Sequence, residues 1–243
     1  MSTPAPPSPY AQAVPPPALR DRVRRLWTYR AADSGPATVQ VLPDGCVDLI
    51  WDGQQLFVAG PDPVAVSASL AASAHLRGVR LAPGAARDLL GLPLCELTAQ
   101  RVALQELWGA QGRALARDMS TSTAPIAVLL AAVAGREAAP DRRMAYLFAR
   151  LAGGDAPRLP ALARELGSSE RALRRHCQDH FGYGAKTLDR ILRLQRWLAC
   201  ARRARTLTDA ALAAGYADAA HLVHDARQLT GRVPAELLRR HVR

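Results

Sequence analysis

The chain has 243 residues, of which 49% are apolar, and a net charge of +11. That is enough apolar area for one large or two ordinary packed domains. Its longest apolar run, residues 124–135, is far short of the roughly 18–20 residues that span a bilayer. Four cysteines (Cys46, Cys95, Cys177, Cys200) without a Cys-x-x-Cys pair give no disulfide or zinc framework, and reduced thiols in a cytoplasm are the expectation.

The charge is uneven. Residues 1–140 hold 12 arginines against 11 acidic residues, while residues 141–243 hold 20 basic against 10 acidic residues. A neutral half joined to a basic half points to a polyanion partner for the second. Lys186 is the only lysine. The arginine preference owes much to codon bias, but that bias does not explain the asymmetry in net charge.

The start, MSTPAPPSPYAQAVPPP, has no charged region followed by an apolar stretch. It reads as a disordered Pro-rich tail over 1–18 and not as a secretion signal. RDRVRRLWTYR (20–30) is a short amphipathic segment. From residue 37 the period shifts toward two. TVQVL, CVDLIWD, QLFVAG, VAVSASL and HLRGVRLA are short strand-like runs bounded by Pro43-Asp44-Gly45, Asp52-Gly53, Gly60-Pro61-Asp62 and Ser73. They predict a small antiparallel, half-barrel-like sheet. PGAARDLLG (83–91), with Pro83 placed to start it and Gly91 to stop it, and VALQELWGA (102–110) predict helices. An apolar helix opened by Pro125 follows; packing between domains is its expected role, with a dimer contact as the other reading. REAAPD (136–141) reads as the boundary. The expected organisation is a regulatory or assembly domain over 19–138 and a DNA-binding domain over 139–243.

From residue 142 the pattern is helical throughout. Met144, Leu147, Phe148 and Leu151 share one face, as do Leu159, Leu162, Ala163 and Leu166. A long amphipathic helix, KTLDRILRLQRWLACARR, separates two stretches of one layout. The first is LARELG-SSERALRRH; the second is ALAAG-YADAAHLVHD. In each, a small residue (Ala163, Ala211) allows close crossing of two helices. A glycine (Gly167, Gly215) takes the left-handed backbone that ends the first helix. Ser169 is placed to cap the second helix of the first pair. This is the helix-turn-helix layout, whose second helix enters the major groove. A connecting helix of about 18 residues is roughly 27 Å long. With its flanking turns, it suits two recognition helices about one DNA turn, roughly 34 Å, apart. The fold class is therefore α+β: a small antiparallel β domain with helices, then an all-α domain of two helix-turn-helix units joined by a long helix.

GSSERALRRHCQDHFG, RILRLQRWLACARR and TLTDAALAAGYADAAHLVHDARQLTGRVPAELLRR resemble the paired helix-turn-helix domain of AraC/XylS-type transcriptional regulators, over about 100 residues. LPDGCVDLIW, VAGP, GVRLAPGAARDLLG and VALQELWG resemble a poorly characterised domain found ahead of such pairs. The resemblance implies a DNA-binding transcription regulator with double-stranded DNA as its partner, and it places Arg171, Arg174 and Arg175 at DNA. Spacing alone puts those three on one exposed face, with Ala172, Leu173 and Cys177 turned inward; Ser169 and Gln178 complete the set. A fork from Arg174 or Arg175 to guanine discriminates bases by about 1–3 kcal/mol, whereas a phosphate contact reads no sequence. The second recognition helix offers Ala219, Ala220, His221, Val223, His224 and Arg227. His224 stands where the family commonly has arginine and Ala226 where it commonly has an aromatic, so weaker base readout is expected there. A small-molecule effector, a contact with RNA polymerase and a homodimer stay open.

His176 and His180 lie four residues apart around Cys177 and read as solvated or phosphate-side histidines, since a metal needs more converging ligands. No cofactor is expected. Cys46, after a Pro-Asp-Gly turn, reads as a buried strand cysteine; the competing reading is an alkyl acceptor of a DNA-repair protein. Asp44 and Asp48 read as a turn residue and a solvent-facing strand residue. Trp27, Trp51, Trp108 and Trp197 read as core or interface anchors. No phosphate loop, nucleophile elbow or paired carboxylates stand out, so no enzyme is expected.

Overall fold

The computed structural model describes residues 9–154 and 157–240. Its first half is a six-stranded, wholly antiparallel sheet in the order β1-β2-β7-β4-β5-β8, with β3 and β6 pairing apart as a two-stranded ribbon. The strands are β1 (Tyr10–Ala13), β2 (Val23–Arg30), β3 (Ala37–Val41), β4 (Asp48–Trp51), β5 (Leu56–Ala59), β6 (Val66–Leu70), β7 (His75–Leu81) and β8 (Arg101–Ala103). All five predicted strand runs are strands. Three elements differ from expectation. The amphipathic segment 20–30 is β2, whose 23–30 stretch pairs with β1 and β7. Within the predicted tail, residues 1–8 lie outside the described residues, but Tyr10–Ala13 is strand β1. Its backbone pairs with β2 and the Tyr10 ring lies 6.0 Å from that of Trp27, a contact no local composition announces. The predicted helix 102–110 begins as β8 and only then becomes α2 (Leu104–Trp108).

Helices α1 (Ala86–Leu90), α2, α3 (Ala110–Thr121) and α4 (Pro125–Gly135) cover one face of the sheet. Gly91 ends α1 with φ of 82°, as its position suggested; the helix starts at Ala86, after Pro83. Val23, Leu49, Val58, Val79, Leu89, Leu104, Leu129 and Val133 form the shared core. The apolar α4 packs there and not between the two halves of the chain: Leu129 and Val133 are fully buried, and its outward positions are the small Ala127, Ala131 and Ala134. On the other sheet face Trp27, Ile50 and Ala59 are buried with Tyr10, Tyr29, Phe57 and Leu76 against them. Trp27 lies opposite Gly78 on β7, and a Cβ at Gly78 would fall 2.0 Å from the indole. All four tryptophans are core residues.

The second half holds α5 (Arg142–Gly153), α6 (Leu159–Glu165), α7 (Glu170–Phe181), α8 (Ala185–Cys200), α9 (Leu207–Ala213), α10 (Ala219–Thr230) and α11 (Pro234–Arg240). Asp141 caps α5 by accepting from the Arg143 and Met144 N–H groups. The core runs from Leu147 and Leu162 through Leu188, Ile191, Leu194 and Trp197 to Leu222 and Ala226. Tertiary packing of these amphipathic faces, more than propensity, holds such short helices.

Among the contacts between the two halves are several hydrogen bonds. Gly182, ending α7, accepts at its carbonyl from the Thr98 hydroxyl at 3.0 Å. Gln195 of α8 donates to the Pro43 carbonyl at 2.7 Å. At the end of α10, the Ala65 N–H donates to the Leu229 carbonyl at 2.7 Å and Gln40 donates to the Thr230 carbonyl at 2.9 Å. Gly182 has φ of 79°, and a Cβ there would lie 2.5 Å from Pro61 Cγ and 2.6 Å from Thr98 Oγ1. Gly182→Ala therefore combines backbone strain with overpacking. We expect a loss of about 2 kcal/mol, measured as a lower urea midpoint with unchanged m-value.

Candidate nucleic-acid interface

Two units share one construction. In the first, α6 ends before Gly167 (φ 60°) and α7 follows. In the second, α9 ends before Gly215 (φ 86°) and α10 follows. Ala163 and Ala211 are buried where the helices cross, so no larger side chain holds them apart. Ser169 caps α7, accepting from the Ala172 N–H at 3.2 Å; Asp218 caps α10, accepting from the His221 N–H at 2.7 Å. Both caps satisfy donors that the helix start leaves open.

On α7, Arg171, Arg174, Arg175 and Gln178 are all exposed and share one face, while Leu173 and Cys177 point into the core. Burial pushes the Cys177 thiol up to about 12, as befits a core side chain. On α10, Ala220, His224 and Arg227 are exposed and Val223 is half-buried on the same side. His221 is turned partly away: its ring lies edge-on to Tyr216 at 5.2 Å and its Nε2 is 3.8 Å from Asp225. Ala226 is fully buried and is core rather than surface.

The connecting α8 has 16 residues, closed by a short 3-10 turn at 201–203. At 1.5 Å per residue it is about 24 Å long. Its basic residues are largely committed inside the protein. Arg190 forms an ion pair with the buried Asp225 at 2.9 Å, tying α10 to α8. Arg193 pairs with Asp189 and lies over the Tyr216 ring at 5.5 Å. Arg196 donates to the Ala214 carbonyl at the end of α9 and to the Leu151 carbonyl of α5. Sequence reading missed the Arg190–Asp225 pair. The available signal was an acid at 225 between the core positions 222, 226 and 229, a site that demands a cation.

His180 is not solvated, contrary to expectation. It is buried at the end of α7 against the first half of the chain, with Nε2 3.5 Å from Asp141. Burial lowers its pKa; Asp141 opposes this, Arg87 adds to it, and Asp88 and Asp179 oppose it. The unfolded chain then takes up a proton near the ordinary value, about 6.5, while the folded chain resists it. Stability is complete above that value and falls as pH drops through it. Between about pH 7.5 and pH 5.5, the melting temperature of the wild type should fall more steeply than that of His180→Gln. Parallel slopes would refute this.

Asp44 is the turn residue it was read to be, accepting from the Cys46 N–H at 3.0 Å. Asp48 is not solvent-facing: it lies opposite Arg80 on β7, and its side chain is 14% exposed. Arg80 forks to Asp48 at 2.9 and 3.1 Å and reaches Asp44 at 2.7 Å. Cys46 lies beside them, its Sγ 3.5 Å from Arg24 Nη1. Burial and Asp44 push its thiol up to about 12, against the pull of Arg24 and Arg80. Among the described residues no three His, Cys, Asp or Glu are grouped to hold a metal ion.

Two capped helix pairs set on one strut, with a cationic face on the first recognition helix, define a paired helix-turn-helix DNA-binding protein. Comparison with known proteins agrees. Residues 162–240 match the family described as Helix-turn-helix domain, and residues 11–103 match Domain of unknown function (DUF6597). The C-terminal end of the chain thus carries an AraC-type helix-turn-helix domain, of a kind found in DNA-binding transcription regulators, with an uncharacterised domain ahead of it. No curated protein matches it. Similar solved structures include ToxT from Vibrio cholerae O395, at 11% identity and TM-score 0.44, covering 87% of this chain and 92% of that one. A single-substitution variant of apo ToxT from V. cholerae strain SCE256 has 12% identity and TM-score 0.42, with the same coverage. ToxT bound to (E)-4-(8-methylnaphthalen-1-yl)but-3-enoic acid has 10% identity and TM-score 0.43, covering 87% and 93%.

Proposed function

We propose that α7 and α10 enter two successive major grooves on one face of a DNA duplex, and that the first half of the chain senses a small molecule. The division then falls at about residue 139, with 19–138 as sensor and 139–243 as reader, working in the cytoplasm. One observation carries this reading: the exposed row Arg171, Arg174, Arg175 and Gln178 on α7, held by α8 at a fixed setting from Ala220, Val223, His224 and Arg227 on α10. Arginine forks suit guanine edges and phosphates. The α10 face offers mostly small and apolar groups, which suit thymine methyls and groove shape. His221 contributes less than its position suggested, because it engages Tyr216 and Asp225. Against the alkyl-acceptor reading stands the Cys46 thiol, protonated at neutral pH and lodged beneath Arg24, whereas acceptor chemistry runs through a thiolate.

Selection of bound fragments from random DNA tests the proposal. The expected product is a bipartite site with half-sites about 10 bp apart, strongly fixed in the half read by α7 and loosely fixed in the half read by α10. Enrichment of a single half-site, or none, overturns it.

A further inference from the structure

The two recognition helices are seated by different means. α7 buries Leu173, Cys177, His180 and Phe181, and the Phe181 ring lies 6.1 Å from that of Phe148 on α5. Shaped, bulky side chains key it into the core. The second pair is smoother. α9 buries Ala210 and Ala211, and α10 buries Leu222, Ala226 and Leu229 together with Asp225 and Thr230. Alanines let helices approach closely, but they leave shallow ridges that key rotation weakly.

Asp225 is the one charged residue in that buried row of α10, and its side chain is 4% exposed. Arg190 of α8 donates to its Oδ1 from Nε at 3.0 Å, and the same guanidinium reaches the Gln228 side chain. Asp225 Oδ2 makes no hydrogen bond among the described residues and faces His221 Nε2 at 3.8 Å. The His221 ring is in turn set edge-on against Tyr216. α10 is therefore held along one stripe, at 221, 225 and 228. Its reading positions 220, 224 and 227 each stand one residue earlier, on the neighbouring stripe. Where they point follows from where the first stripe is held. A buried ion pair is a weak source of stability, because desolvation offsets most of the attraction; its better-attested use is to select one arrangement among several.

We propose that Arg190 and Asp225 are positioning residues that fix the rotation of α10 about its own axis, and thereby the base preference of the half-site that α10 reads. This rests on the two-groove reading above. A rotation of about 20° carries a side-chain tip roughly 2 Å at the roughly 5–6 Å radius of a helix with its side chains. That is enough to lose a hydrogen bond to a base edge. α7 has its own seat, so the first half-site does not depend on the pair.

Selection from random DNA, repeated with the full Arg190→Met, Asp225→Leu chain, tests it. The apolar pair strands no charge, so the chain should stay folded. Bases preferred by roughly fivefold or more in the second half-site should fall below about twofold, while the first half-site keeps its ratios. Competition anisotropy with single-base changes reads those ratios. Arg190→Lys, which keeps the charge and loses the fork, is the second variant and should flatten the same positions. Second-half ratios unchanged in either variant, or both half-sites weakened alike, overturns the proposal. A wild-type selection with no second half-site overturns the two-groove reading itself, and with it this inference, before any variant is made.

Discussion

Replacing Arg174 and Arg175 together with alanine is expected to lower affinity for the selected DNA site by roughly two orders of magnitude, at about 1–2 kcal/mol for each side chain. Both side chains are exposed on α7 and neither forms an ion pair among the described residues, so the melting temperature should barely change. Fluorescence anisotropy over a salt series separates their roles. If both touch phosphate, the slope of log affinity against log salt falls by about 2 and base preference is kept. If they fork to guanine, preference at two positions is lost while the slope changes less. Unchanged affinity would remove α7 as the principal reader. The test is clean because the arginines of the strut are spent internally: Arg190, Arg193 and Arg196 hold helices together.

The second large effect concerns the joint between the halves. Arg80→Met should cost about 3 kcal/mol of stability. It leaves Asp44 and Asp48 facing each other beside Cys46 with no cation between them. In the intact protein burial pulls the Arg80 guanidinium down, and the two carboxylates more than offset it, holding its pKa well above the ordinary value. The asymmetry is the informative part. Adding Asp44→Asn and Asp48→Asn to the Arg80→Met chain should restore most of the loss, because the penalty comes from stranded charge and not from the missing pair. The turn carrying Asp44 also presents Gly45 to α8, where a Cβ would fall 2.9 Å from Leu188 Cδ1 and 3.0 Å from Phe148. Loss of this triad should therefore loosen α8 as well as the sheet. Denaturant unfolding, with amide exchange along 185–200, would show it. Exchange unchanged in α8 would confine the effect to the first half.

The helical end of the chain was legible because its signals are local. The glycines at 167 and 215 sit where the backbone turns left-handed, Ser169 caps as its position requires, and the 3.6-residue period separates Arg171, Arg174 and Arg175 from Leu173 and Cys177. The exposed face of α7 was thus available from spacing, as were the five strand runs between residues 37 and 82. Less legible was β2. RDRVRRLWTYR carries charge at alternate and adjacent positions, and its period is broken by a bulge between Val23 and Arg25. Strand β1 was hidden by flanking prolines. Its order comes from pairing with β2 and from the Tyr10–Trp27 contact, both absent from its own composition.

Sequence by itself determined five of the strand runs, the glycines and the serine cap that bound the helix pairs, the twin layout of the second half and the cationic row on α7, since each depends on neighbours a few residues away. Only tertiary structure decided which charges are spoken for. Asp48 meets Arg80, Asp225 meets Arg190 and His180 meets Asp141 across 32, 35 and 39 positions of the chain. Whether a charged residue faces solvent, a partner or a ligand depends on what folding brings against it. For that reason the row on α7 could be read from spacing, whereas the burial of Asp48, Asp225 and His180 against their partners emerged only once the chain was folded.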